Sequence, residues 1–118
     1  SKGDRVCAYM PNCPETIITM LATASLGAVF SSCSTDFGVA GVLDRFQQIE
    51  PKILVTVDGY LYNGKAIERH EEVHQIVQGL NTLQHVLILK YLNENQYLVN
   101  TASTAEDALE KIKIINKL

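Results

Sequence analysis

Ser34-Thr35-Asp36-Phe37-Gly38-Val39-Ala40-Gly41-Val42-Leu43-Asp44-Arg45-Phe46-Gln47-Gln48-Ile49-Glu50-Pro51-Lys52-Ile53-Leu54 contains three kinds of local instruction in one short stretch. A polar loop from Cys33 runs to Phe37. Val39, Val42, Leu43, Phe46 and Ile49 then recur at the spacing of one helix face. Pro51 has no backbone N–H to donate and clashes with a continuing helix, so it ends that pattern. Ile53 to Val57, Ile-Leu-Val-Thr-Val, is a continuous apolar run of the kind buried on both faces of a parallel sheet. Loop, amphipathic helix and buried strand follow one another.

The same alternation extends in both directions. Upstream, Arg5 to Met10 predicts a strand closed by Pro11-Asn12, and Asn12 with Glu15 makes a capping-box-like helix start. The helix that follows places Ile17, Ile18, Leu21 and Ala24 on one face, with Gly27 as its terminator and Ala28 to Ser32 as a second short strand. Downstream, a helix is expected from about Ala66 to Gln78 with Val73, Ile76, Val77 and Leu80 as its stripe, then a fourth strand from His85 to Leu89. Strands alternating with helices of this length imply right-handed parallel crossovers with helices on the sheet's faces. The expected fold class is α/β with a mainly parallel sheet, doubly wound or half of such a sheet. Residues 91–100 are polar, with Tyr97 to Val99 the one strand-like stretch. Ser103 and Glu106 make a second capping box, and Ala105, Ala108, Leu109, Ile112 and Ile115 line one side of a last helix. The chain thus divides into an α/β segment over 1–90 and a polar connection with a C-terminal amphipathic helix over 91–118.

At 118 residues the chain holds one domain at most. It opens at Ser1-Lys2 without an initiator Met and enters a strand almost at once, which suggests a segment excised from a longer protein. A net charge of -3 with no basic cluster argues against a general nucleic-acid grip. No apolar run reaches the ~18 residues of a membrane helix and no signal-like N-terminus is present, so a cytoplasmic setting is expected. Cys7, Cys13 and Cys33 are odd in number and form no C-x-x-C pair, which favours free structural thiols in a reducing compartment.

Three motifs invite chemistry. Gly59-Tyr60-Leu61-Tyr62-Asn63-Gly64-Lys65-Ala66 nearly spells the phosphate loop G-x-x-x-x-G-K-[ST], but Ala66 has no hydroxyl for Mg²⁺. A solvated turn with Asn63-Gly64 at its tip fits better. His70-Glu71-Glu72-Val73-His74 matches H-E-x-x-H, in which two imidazoles four apart share Zn²⁺ and the Glu is a base. Glu68, Arg69 and Glu72 make its surroundings a charged surface turn, no motif supplies a third ligand, and His85 reads as a packed core histidine. Asp36-Phe37-Gly38 spells the Mg²⁺-binding triplet of protein kinases, yet a helix follows directly and the other kinase motifs are missing. Asp36 or Thr35 is expected to cap that helix.

With Gly3-Asp4-Arg5-Val6, Tyr9-Met10-Pro11-Asn12 and Tyr62-Asn63-Gly64-Lys65 beside the stretch 34–54, the chain from Ser1 to about Lys90 resembles the acetoacetyl-CoA synthetase branch of the adenylate-forming (acyl-CoA synthetase) superfamily. The resemblance implies a parent that activates acetoacetate with ATP and Mg²⁺ as an acyl-adenylate and passes the acyl group to CoA. It implies a piece of the large N-terminal domain, packed in the parent against the rest of that domain. The superfamily's phosphate loop, ribose-holding acid and C-terminal-domain lysine have no counterpart here, so no catalytic residue and no metal ligand is assigned. The segment alone is expected to be inactive and to bind none of these ligands tightly. In related acetyl-CoA synthetases, basic residues in the loop after the third of these strands touch CoA phosphates. By that likeness Tyr62, Asn63, Gly64 and Lys65 are the candidate CoA contacts, with Tyr62 standing where a second basic residue is usual. The same relatives approach CoA with a glycine pair near Thr35-Asp36, where bulkier and acidic residues stand here. Cys7, Cys13, Cys33 and Thr35 replace the Val, Ser, Thr and Pro usual in that branch. The other readings are a different short-chain acyl-CoA synthetase, a zinc peptidase acting through His70, Glu71 and His74, and a non-catalytic interaction module.

Overall fold

The structure, a computed structural model, describes residues 1–92. Its elements are β1 (Arg5–Tyr9), α1 (Pro14–Ser25), β2 (Val29–Cys33), α2 (Val39–Gln47), β3 (Ile53–Val57), β4 (Gly59–Tyr62), β5 (Lys65–Glu68), α3 (His70–Gly79) and β6 (His85–Leu89). Four of the strands form a parallel sheet in the order β2-β1-β3-β6, and β4 pairs with β5 in a separate antiparallel hairpin.

Alternation along each sheet strand sends side chains to two faces. On one face Cys7, Tyr9, Leu54, Val86 and Ile88 meet Val42 and Phe46 of α2 and Val73, Ile76 and Val77 of α3 in one core. The other face carries Val6, Ala8, Val55 and Val57, with Ile53, Leu87 and Leu89 at its margin. Strand β3, central and covered on both faces, needs an apolar residue at nearly every position. Its one exception, Thr56, is fully buried and donates its hydroxyl to the Tyr9 carbonyl at 2.9 Å.

The α2 stripe lies where the spacing puts it, with Val42 and Phe46 fully buried and Val39, Leu43 and Ile49 packed against them. The α1 stripe does not. Ile17, Ile18 and Leu21 are 57%, 62% and 59% exposed, and the one buried residue of the helix is Thr23. Thr19 and Thr23 bond the carbonyls of Glu15 and Thr19, each at 2.7 Å, so a threonine can turn inward with its hydroxyl satisfied. The stripe is real but inverted: Glu15, Thr16, Thr19 and Thr23 form the side that turns inward, and the apolar side of the helix faces outward. Between α1 and the sheet remains a groove of about 370 Å³ lined by Ile18, Ala22, Leu26, Val55, Leu87 and Leu89.

The helix starts also differ from expectation. Cys13, not Asn12, is the N-cap of α1, with Pro14 leading the first turn, and Gly38, not Thr35 or Asp36, is the N-cap of α2; neither cap uses a side-chain hydrogen bond. The helix expected from Ala66 begins instead at His70, because Lys65–Glu68 is paired as β5. His85 heads β6 exposed rather than packed in the core. All three cysteines are free and buried, and burial raises the Cys7 and Cys33 thiols, which makes them poor nucleophiles. The expected strand at Tyr97 and helix after Ser103 lie outside the described residues.

Candidate functional site

The sheet order has one reversal. From β1 the chain goes out to β2, then crosses back past β1 to β3 and on to β6. In open α/β sheets, ligands gather outside the carboxyl ends of the strands at such a reversal. Here those ends are Tyr9 and Val57, and three segments rise above them: the loop 34–37, the hairpin 59–68 and the first turn of α3.

Tyr9 ties the first of these to the core. Its ring is fully buried, and its one hydroxyl proton is shared between the carbonyls of Thr35 and Phe37, at 2.9 and 3.0 Å. Thr35 is itself buried, so the loop that leads into α2 is held from beneath. Burial pushes the Tyr9 phenol up to about 12 from 10.0. The unfolded chain therefore releases this proton near 10 while the folded chain keeps it. The contribution to stability is complete below pH ~10 and is lost as the pH climbs toward 12, by about 2 to 3 kcal/mol in all. Tyr9→Phe should be about 1 kcal/mol less stable than the parent near neutrality, and that deficit should close or reverse at strongly alkaline pH. Urea midpoints of both proteins at the two conditions check this; a constant gap would refute it.

The hairpin forms because Asn63 and Gly64 adopt φ values of 50° and 77°, the pair of left-handed residues that a two-residue turn with the natural strand twist requires. The eight residues that nearly match a phosphate loop are thus a strand, a turn and the start of its partner, whose successive amides alternate between the ladder and the outer edge and so do not converge. They form no cradle of free N–H groups. Tyr62 stands opposite Lys65 and Tyr60 opposite Ile67, so these four side chains share one face, with Leu61 and Ala66 on the other. At the tip, Tyr62, Asn63, Gly64 and Lys65 are all exposed, and Lys65 makes no ion pair with any described residue.

The root of the hairpin is dense. The Arg69 N–H donates to the Asp58 carbonyl at 2.9 Å, and a carboxylate oxygen of Asp58 accepts the Leu92 N–H at 3.1 Å. Gly59 lies against Ile67, Glu68 and Leu92. The Arg69 guanidinium sits 5.3 Å from the centre of the Tyr60 ring, 3.4 Å from the Tyr60 hydroxyl and 3.4 Å from a Glu72 carboxylate oxygen. Nothing in the spacing of Tyr60, Arg69 and Glu72 announces this group, and it was not legible as a motif.

His70 and His74 lie on the first turns of α3, both half-buried, with Glu71 exposed between them. Among the described residues no three His, Cys, Asp or Glu side chains are grouped so as to hold a metal ion. Asp36 and Phe37 are exposed, and Arg45 covers the Phe37 ring at 5.7 Å. No helix among the described residues is long and apolar enough to cross a membrane.

The sequence pattern of the AMP-binding enzymes matches residues 1–116. An acetoacetyl-CoA synthetase of Macaca fascicularis is 47% identical over 95 residues, 80% of this chain and 14% of that protein. An acetoacetyl-coenzyme A synthetase of Rhizobium meliloti (strain 1021) is 50% identical over 99 residues, 84% of this chain and 15% of that protein. Among solved structures, an acetoacetyl-CoA synthetase from Streptomyces lividans superposes with a TM-score of 0.77 at 47% identity, over 80% of this chain and 15% of that one. The chain thus spans about one seventh of the length of the relatives it matches.

Proposed function

The chain belongs to the AMP-binding enzymes, and from that premise we propose that it is a segment of an acid–thiol ligase. The whole enzyme activates acetoacetate with ATP and Mg²⁺ as an acyl-adenylate and transfers the acyl group to CoA. The observation that carries this reading is the identity of 47% and 50% to acetoacetyl-CoA synthetases over four-fifths of the chain, accompanied by the same fold. Residues 1–90 are the α/β portion of that segment. The rest of the parent domain covers the apolar surface of α1. Three free, buried thiols fit a reducing, cytoplasmic setting.

Within this segment the hairpin tip is the site that meets CoA. An exposed ammonium without an ion-pair partner among the described residues and an exposed aromatic ring on the same hairpin face suit a phosphorylated adenine nucleotide, Lys65 holding a phosphate and Tyr62 offering its ring to the base. Asn63 and Gly64 set the distance between the two. The described residues do not fit the phosphates of ATP or a resident Mg²⁺, and on this reading activation of the acid belongs to other parts of the enzyme and the 118 residues alone form no adenylate.

The test is Lys65→Ala in the full-length enzyme. The KM for CoA should rise about five- to thirtyfold, the loss of one partly screened charge-assisted contact. Acetoacetate-dependent exchange of pyrophosphate into ATP should stay at the parent rate, because that half-reaction does not use CoA. Lys2→Ala, at the exposed opposite end of the sheet, is the control for loss of one positive charge. An unchanged KM for CoA in Lys65→Ala would remove the hairpin from the site.

A further inference from the structure

A two-stranded hairpin on its own is marginal in water. The hairpin β4–β5 lies outside the four-stranded sheet and its tip is exposed, so its direction has to be set at its root. We propose that Arg69 is a positioning residue that clamps the hairpin through Tyr60 and so aims the Tyr62–Lys65 face at its ligand. This inference rests on the assignment of that face to CoA.

Tyr60 is the root-side neighbour of Tyr62 on the face it shares with Lys65, so the direction of the Tyr60 ring is the direction of the face. Arg69 meets that ring on its π surface at 5.3 Å and its hydroxyl at 3.4 Å. A planar guanidinium can stack and donate at once, which an ammonium cannot. Arg69 is in turn fixed from two sides. Its own N–H bonds the Asp58 carbonyl at the end of β3, and its side chain pairs with Glu72 one turn along α3, with the pair only 19% and 28% exposed. The clamp therefore joins the sheet, the helix and the hairpin through one residue, its backbone N–H serving the sheet and its side chain the other two.

Arg69→Met keeps the length and apolar stem and removes the guanidinium. In the full-length enzyme it should raise the KM for CoA about five- to tenfold while pyrophosphate exchange stays at the parent rate. Tyr60→Leu should do the same, and the double variant should be no worse than the worse single one, because both remove one contact. Arg69→Lys should fail to restore the KM, whereas Tyr60→Phe, which keeps the ring, should stay within about twofold of the parent. Amide hydrogen exchange on the same proteins reads the clamp without CoA: Arg69→Met should speed exchange across Tyr60–Ile67 and leave β1 and β3 protected. A normal KM in Arg69→Met beside a raised KM in Lys65→Ala would overturn the clamp and keep the CoA site. Unchanged exchange across the hairpin would also overturn the clamp. Faster exchange with a normal KM in both Arg69→Met and Lys65→Ala would uphold the clamp as a holder of the hairpin, overturn its role in aiming CoA, and remove CoA from the hairpin.

Discussion

Phe46→Ala is expected to bring this chain to the edge of unfolding at room temperature. Phe46 is completely buried where α2, α3 and the sheet meet, among Cys7, Leu54, Val73, Ile76 and Val77. Truncation removes the ring's transfer energy and opens a cavity that three elements would have to close together, at about 3 to 5 kcal/mol. Whole domains have only about 5 to 15 kcal/mol in hand, and this one leaves Ile17, Ile18, Met20, Leu21 and Leu26 in water, which places it at the low end. Phe46→Leu, which keeps most of the volume, should cost about 1 to 2 kcal/mol and stay folded. Circular dichroism through a urea titration distinguishes the two. If Phe46→Ala unfolds at the parent's midpoint, the core is not centred on this ring.

Gly59→Ala should have the next largest effect on the fold, and with the opposite sign to the common one. Replacing glycine by alanine at a compatible position stabilises by about 0.4 to 1 kcal/mol through the unfolded chain. At Gly59 a Cβ would press into the Ile67 carbonyl oxygen and come 2.6 Å from Leu92 Cδ1 and 3.0 Å from Glu68 Cα. A leucine tip can swing away, but the paired strand's backbone cannot without breaking the ladder. The expected cost is about 2 to 3 kcal/mol, spent on unpairing β4 from β5. Hydrogen exchange should therefore quicken over residues 59–68 while Leu54 and Val55 keep the parent's protection. Uniform quickening across the sheet, or no change, would contradict this.

These two positions also mark how far the sequence could be read. The stretch around Phe46 was legible because periodicity, stop and following strand agree, and α2 and β3 fall where they were expected. The hairpin was half legible. Asn63-Gly64 marks the turn, but Ala66-Ile67-Glu68 flows into the charged start of α3 and was taken for its first turn, since four residues give no period to decide by. In α1 the apolar stripe is legible but faces outward, so the usual rule of apolar side inward named the wrong side. The exposure of His85 could not be foreseen, because an apolar strand at the sheet's edge has one margin open to water. Of the candidate site, Tyr62 and Lys65 were singled out through a likeness to relatives. Arg69 and Tyr60 lie nine residues apart and meet only once the hairpin has folded back.

The antiparallel pair of strands departs from the sheet at Asp58 and returns at Arg69, and a single 2.9 Å hydrogen bond between those two residues closes the gate. Anything that happens beyond that gate is topologically local: residues can be added or removed in pairs, or the turn exchanged, while the registers of β1, β3 and β6 stay as they are. The turn and the tip can therefore change in length or sequence without re-pairing the sheet. What the tip presents and how the sheet pairs are thus set by different residues.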